Sequence, residues 1–252
     1  MKTLAFCLKF WGIGGAENWY RNISKYLPFQ CSFVDKINKH YDVVIYSNSN
    51  DFYVQAKKYN CTTIIQRTTG ERSLKIQQPV DLHAVICSTQ KAYNISKHKN
   101  KCLIYNGVDK ELIDSLDPIK CDLLCADARV GIGQNTLRAI TYAKKHNHHL
   151  TVLGGKQHLA ENTYYVLKDM HGDSVVFTGV QTHKDALRYI KGCNTLLVTN
   201  QSHGCSNSAL ERMYSGDILN LSGTKLDLPD EVNDIADVAK KYEDVINKGE
   251  TR

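Results

Sequence analysis

The sequence predicts an α/β protein of two doubly wound, Rossmann-like domains facing a cleft. Three observations lead there. Short apolar, β-rich runs alternate with helical patterns almost to the end of the chain, the order expected of parallel sheets flanked by helices. Runs such as Thr195-Leu196-Leu197-Val198 are continuously apolar, as a strand covered on both faces must be. About ten such runs exceed what one sheet holds comfortably at this length, and 252 residues suffice for two cores.

The first strand spans 3–9. Its opening, Met1 to Cys7, carries one Lys and a short apolar stretch without a small-residue cleavage site, so it reads as a buried strand rather than a signal peptide. A helix follows over 15–27. Strands at 42–47, 62–66, 83–88 and 102–105 then alternate with helices at 51–59 and 89–97. The Asn-Gly pair in Tyr105-Asn106-Gly107-Val108-Asp109 is a turn signal, which sets one domain at 1–106 and the next at 107–228. In the second, helices at 109–115, 134–147, 158–170, 183–191 and 207–215 separate strands at 121–125, 149–153, 174–178, 194–199 and 217–221. Helix 134–147 spaces Leu137, Ile140, Thr141 and Lys144 by three and four, a half-buried face. The segment 229–252 carries an amphipathic C-terminal helix, 230–247, able to pack on either domain.

Composition narrows the function classes. No apolar run reaches the roughly 20 residues of a membrane helix, and the reading is a cytoplasmic enzyme. Nine scattered cysteines without a C-x-x-C pair read as small hydrophobes in a reducing compartment, not as a zinc site. The net charge of +6 suits an anionic substrate such as a nucleotide diphosphate and also permits nucleic acid contact.

In doubly wound sheets ligands bind beyond the carboxyl ends of strands, so the loops after strands carry the chemistry. Trp11-Gly12-Ile13-Gly14-Gly15-Ala16-Glu17 would bring backbone amides and a helix N-terminus to an anion; the alternative is a tight turn. Glu17 stands where a dinucleotide fingerprint needs its third Gly, and the chain has no P-loop. Arg129 lies on a loop before helix 134–147, where it would pair with a phosphate or face solvent. Small residues at Gly204, Cys205, Ser206 and Asn207 precede helix 207–215, a site for a diphosphate, with Glu211 one turn in to hold ribose hydroxyls. The bland counterpart is a helix capped by Ser206 with Glu211 on its surface.

Taken in order, these segments resemble the retaining glycosyltransferases of family four, a GT-B group. Gly14-Gly15-Ala16-Glu17 resembles its GGAE loop, and Ile104-Tyr105-Asn106-Gly107-Val108-Asp109 its I-P-N-G-V-D link. Arg129 with Gln134-Asn135 resembles R-x4-K-[GN]. Leu150-Thr151-Val152-Leu153-Gly154-Gly155 and Val175-Val176-Phe177-Thr178-Gly179 are similar to its strand ends. Ser202 to Gly216 resembles S-E-G-x-x-N-x-L-L-E-A-M-A-x-G.

The resemblance implies a GT-B fold and a metal-independent, retaining transfer of a hexosyl or pentosyl group from a nucleotide-diphosphate sugar, such as a UDP-sugar. That donor is a co-substrate, and no cofactor is needed. The resemblance makes Arg129, His203 and Glu211 the catalytic set. It makes Gly14, Gly15, Gln134, Gly179, Val180, Gly204, Cys205, Ser206 and Asn207 donor-binding, with Gly179 and Val180 near the nucleobase. Glu17 and Arg67 fall on the acceptor side. Three departures stand out: His203 replaces the family's first Glu, Gln134 replaces its Lys with Lys156 nearby to compensate, and the first domain is short. Two other readings follow. One is a phage-type DNA base glycosyltransferase with Trp11, Trp19, Tyr20, Arg67, Arg72 and Lys75 along the nucleic acid path. The other is a catalytically degenerate nucleotide-sugar-binding protein.

Overall fold

The computed structural model describes residues 1–8, 15–47, 49–68, 79, 81–130, 135–156, 167, 172–199 and 206–250. The chain divides into two compact units. One gathers Met1–Asp109 with Asp227–Arg252, the other Lys110–Ser202 with Ser206–Leu226. The backbone passes from unit to unit after Asp109, beside the expected boundary near Tyr105–Asp109, and again at Leu226–Asp227.

The first unit holds a six-stranded parallel sheet. Its strands are β1 (Thr3–Cys7), β2 (Gln30–Val34), β3 (Val43–Tyr46), β4 (Thr63–Thr68), β5 (Ala84–Cys87) and β6 (Lys101–Leu103), in spatial order β2-β1-β3-β4-β5-β6. Alternation along each strand sorts side chains to two faces. Leu4, Phe6, Val43, Ile45, Ile65 and Ile86 meet α1 (Gly15–Ile23) and the C-terminal helix α8 (Ile235–Glu250) through Trp19, Tyr20, Val238 and Tyr242. Ala5, Cys7, Val44, Tyr46, Ile64 and Val85 meet α2 (Asn50–Lys58) through Phe52 and Ala56, and α3 (Gln90–Ile95) through Ala92. Both faces are covered, and the central strands β3 (Val43-Val44-Ile45-Tyr46) and β5 (Ala84-Val85-Ile86-Cys87) are apolar throughout. Each fully buried aliphatic side chain contributes about 1.5–3 kcal/mol. β2 is absent from the sequence reading. It is an edge strand, only half-buried, and Gln30-Cys31-Ser32-Phe33-Val34 lacks a continuous apolar run.

The second unit holds α4 (Lys110–Ser115), β7 (Cys121–Val130), α5 (Thr136–Lys145), β8 (Leu150–Lys156), β9 (Val175–Gly179), α6 (His183–Gly192), β10 (Cys193–Val198), α7 (Asn207–Ser215) and β11 (Asp217–Asn220). Its parallel sheet runs β11-β10-β7-β8-β9. Leu123, Cys125, Val152, Val175 and Leu197 form one core with Ala139, Ile140 and Ala143 of α5. Two cations, buried Arg212 and half-buried Lys191, fasten the helices. Arg212 of α7 donates to the carbonyls of Ile190, Lys191, Asn194, Ser215 and Asp217. Lys191 of α6 donates to those of Ile113, Asp114 and Leu116, satisfying the C-terminal end of α4.

The C-terminal helix belongs to the first unit. Val108 and Asp234 form a parallel bridge, with Val108 N–H bonded to Asn233 O and Ile235 N–H to Val108 O. Asp227 accepts from the Gln90 and Lys91 amides at the start of α3 and from Tyr105 Oη. Glycine is required at 107. A Cβ there would lie 2.8 Å from Ile235 Cα and 2.9 Å from Val238 Cγ2. The Asn-Gly pair read as a turn signal is therefore the seat of α8.

Arg67, placed on the acceptor side by the resemblance, is 1% exposed. Its Nε donates to Tyr242 Oη at 3.1 Å and its Nη2 to Asn106 Oδ1 at 2.6 Å. The guanidinium lies 4.1 Å over the Trp19 ring and 5.4 Å from that of Tyr20, while Nη1 has no hydrogen-bond partner. Aromatic faces and two neutral acceptors hold this charge; among the described residues no carboxylate does. Desolvated cation–π contacts of this kind are worth about 2 kcal/mol. Arg67 thus ties β4, α1, the Asn106 turn and α8 together.

The eight described cysteines are unpaired, and five of them are buried. Burial pushes the thiols of Cys31 and Cys193 up to about 11, so these two act as small apolar side chains.

Two stability predictions follow from the packing at α8. Gly107→Ala should cost about 1–3 kcal/mol, because backbone rather than a flexible side chain blocks the added methyl. Arg67→Ala should cost about 3 kcal/mol or more, leaving a cavity and two buried polar groups without a donor, whereas Arg67→Met should cost less. Urea denaturation followed by tryptophan fluorescence reads both, since Trp19 is buried in the first unit beside Arg67.

Candidate functional site

Strand order in the second unit decides where a ligand can sit. From β7 the chain proceeds outward through β8 to β9, then returns to place β10 on the other side of β7 and β11 beyond it. Between β7 and β10 successive connections diverge, and the carboxyl ends of these two strands border the crevice where doubly wound sheets bind ligands. Arg129 lies at the carboxyl end of β7, and the segment leading to Glu211 follows β10. A side-chain bond links the flanks of the two strand ends: Asn135 Nδ2, just before α5, donates to Thr199 O, just after β10, at 3.4 Å. Asn135 has a left-handed backbone, φ 55° and ψ 33°, which Gly and Asn tolerate best. That explains why the resembling motif has Gly or Asn there.

Arg129 is not on a loop. β7 continues to Val130, with an irregularity between Ala126 and Arg129, and Arg129 pairs in register with Gly155 and Val130 with Lys156 of β8. The sequence reading ended this strand at Cys125 because Asp127 and Arg129 interrupt the apolar run. The ladder to β8 carries it further, and sets Arg129 at the strand's carboxyl end. Its side chain, and Gly14, Gln134, His203, Gly204 and Cys205, lie outside the described residues, as do Trp11, Arg72 and Lys75.

Gly179 ends β9 and Val180 follows it. Gly179 has φ +74°, and a Cβ on Gly155 would come within 2.4 Å of Val180 Cγ2. Glycine at 155 therefore lets Val180 lie over the end of β8. Gln181 Nε2 donates to Thr178 O at 2.8 Å and closes this turn. Val180 remains 58% exposed, an apolar surface beside the strand ends.

Ser206 occupies the N-cap of α7 with extended backbone, but its hydroxyl meets Ser208 Oγ at 2.8 Å instead of capping a first-turn amide. Asn207 opens the helix. Glu211, one turn on, is 9% exposed, not on the surface. Burial pushes its carboxyl up to about 7. No hydrogen-bond donor satisfies the carboxylate among the described residues. Its neighbour is His183, with Nε2 3.9 Å from Glu211 Oε1, beyond hydrogen-bond range. His183 starts α6 behind the Thr182 N-cap, whose hydroxyl accepts from Asp185 N–H. Sequence reasoning missed His183. It lies 28 positions from Glu211, and only the packing of α6 on α7 brings them together.

In the first unit, Gly15 opens α1 and Glu17 lies half-buried in its first turn. Order reverses here between β1 and β3, where Tyr20 Oη and Ser47 Oγ share a hydrogen bond of 2.7 Å. Trp19 and Tyr20, 2% and 0% exposed, are core residues beside Arg67 and do not line a surface path for nucleic acid.

No protein-family model matches the chain, and no curated protein matches it. Solved structures do. HepE of Anabaena in complex with UDP-glucose aligns at a TM-score of 0.68 and 12% identity, over 99% of this chain and 92% of that one. Sucrose-phosphate synthase of Thermosynechococcus elongatus aligns at 0.69 and 12%, over 100% and 94%. A glycosyltransferase of Rickettsia africae aligns at 0.64 and 11%, over 99% and 92%. With two Rossmann-like units of parallel sheet and neighbours of this kind over its whole length, the chain has the GT-B fold.

Proposed function

We propose that this chain is a metal-independent glycosyltransferase, moving a sugar from a nucleoside-diphosphate sugar, with a UDP-sugar as the first candidate, to an acceptor hydroxyl with retention at the anomeric carbon. The observation that carries the reading is the convergence on one sheet edge of the Arg129 strand end, the N-terminus of α7 and the buried Glu211. In the reaction the bond from the anomeric carbon to the β-phosphate oxygen breaks, a bond to the acceptor oxygen forms on the same face, and the acceptor's hydroxyl proton passes to the departing β-phosphate oxygen. Charge collects on the departing diphosphate. A guanidinium and oriented helix amides stabilise it without a metal. Glu211, desolvated and short of donors, accepts from the ribose hydroxyls. Val180 offers the nucleobase an apolar surface. HepE, described in complex with UDP-glucose, shares the fold, which supports this choice of donor.

Isothermal titration with UDP, GDP and ADP tests the reading. Binding of one of them is expected, weakened about tenfold or more by Arg129→Ala and by Glu211→Ala, because each removes a charged contact worth about 1.5–3 kcal/mol. Absence of binding, or two variants that bind like wild type, would overturn it.

Glu211→Gln separates the site from the fold. The carboxyl is protonated in the folded protein up to about pH 7 but only to about 4.5 when unfolded. Between these values the unfolded state binds fewer protons, so stability falls as pH rises. The glutamine variant escapes this loss. It should be more stable than wild type by roughly 3 kcal/mol at pH 8, and equal to it below about pH 4.5, while binding nucleotide more weakly. Thermal unfolding at both pH values, in buffer without nucleotide, checks the sign.

A further inference from the structure

We infer that Arg67 and Trp19 form an anion site in the core of the first unit, and that its ligand is a halide ion. The inference is independent of the nucleotide reading above. Arg67 is the last residue but one of β4, and is 1% exposed. Two of its nitrogens are engaged: Nε donates to Tyr242 Oη and Nη2 to Asn106 Oδ1. Nη1 is buried and has no hydrogen-bond partner. Trp19 is 2% exposed, and the guanidinium carbon lies 4.1 Å from its ring centroid. Its Nε1 is likewise buried without a partner. The cation and the ring it lies over thus each carry an N–H that nothing accepts among the described residues.

Charge points the same way. Tyr20, Tyr242 and Asn106 around the guanidinium are neutral, and among the described residues no carboxylate pairs with it. A desolvated charge ordinarily has a counter-ion. The aromatic faces offset part of the cost but leave the charge whole and the two N–H groups unmet. Guanidinium and indole only donate, so the species that completes them must accept from both. Water accepts, but supplies no charge and brings hydrogens that need acceptors in turn. A phosphate or sulfate brings more oxygens than two donors can serve, and buried acceptors left unserved are costly. A halide accepts from any direction, carries the single negative charge that is missing and needs nothing further. The site stands where β4, α1 and α8 meet, through Arg67, Trp19 and Tyr242, so loading it stabilises the seat of the C-terminal helix.

The test follows thermal unfolding of the full-length chain by calorimetry, without nucleotide and at constant ionic strength, as sodium gluconate is exchanged stepwise for sodium chloride or bromide. The wild-type midpoint is expected to rise by roughly 3 °C and then to saturate. Arg67→Met fills much of the same space without charge or donors, and its midpoint should not respond. Trp19→Phe keeps an aromatic face and removes the indole N–H, so half-saturation should need roughly three- to tenfold more halide. If Arg67→Met fails to fold, Trp19→Phe decides alone. A wild-type midpoint indifferent to halide would mean that water completes the two donors, and would overturn the inference. An undiminished response in either variant would put the ion elsewhere, with the same consequence. Sodium formate is the competing probe: a rise with formate and none with chloride would make this a carboxylate seat and sink the halide assignment.

Discussion

Parallel strands can be joined only by crossovers of one hand, and from that constraint the placement of the site follows. A chain that winds outward from β7 in one direction must return to the centre to wind in the other. The carboxyl ends of β7 and β10 are then neighbours whose outgoing segments part company. Residues far apart in sequence, Arg129 and Glu211, are brought to one edge. The Asn135 to Thr199 bond joins the residue just before α5 to the residue just after β10, and the left-handed turn at Asn135 lets α5 begin immediately after. The first unit repeats the device at β1 and β3.

Buried charge is treated in three ways. Arg212 meets five backbone carbonyls, so its charge is dispersed and α7 is fixed to its neighbours. Arg67 meets aromatic faces and neutral oxygens, and anchors the C-terminal helix. Glu211 has neither treatment. It is desolvated, holds its proton to about pH 7, and faces an imidazole it does not hydrogen-bond. A structural acid would be expected to have found a donor. A strongly shifted carboxyl in a cleft is a candidate for a functional site, and Glu211 contrasts in this with Arg212, the very next residue, whose charge is met by backbone carbonyls.

Much of the architecture was legible. Every strand read from the sequence has a counterpart, because strands covered on both faces leave continuous apolar runs, as at Thr195–Val198. β2 was illegible because an edge strand need not be apolar. The end of β7 was illegible because its last residues are polar, and it is the ladder to β8 that holds Arg129 in a strand. At the site, the loop at 206–211 was readable from its small residues and its acid one turn later. The burial of Glu211, however, depends on α6, which no local pattern around 211 announces.

The sequence by itself determined two α/β units, the order of their elements and the loops that follow the strands, since periodicity and turn chemistry are local properties. Tertiary structure alone decided that Gly107 seats α8, that Arg67 is a core cation instead of an exposed one, and that His183 stands beside Glu211. Each of these depends on segments between 28 and 175 positions apart meeting in space. Burial and desolvation arise from such meetings, and no stretch of chain carries them alone.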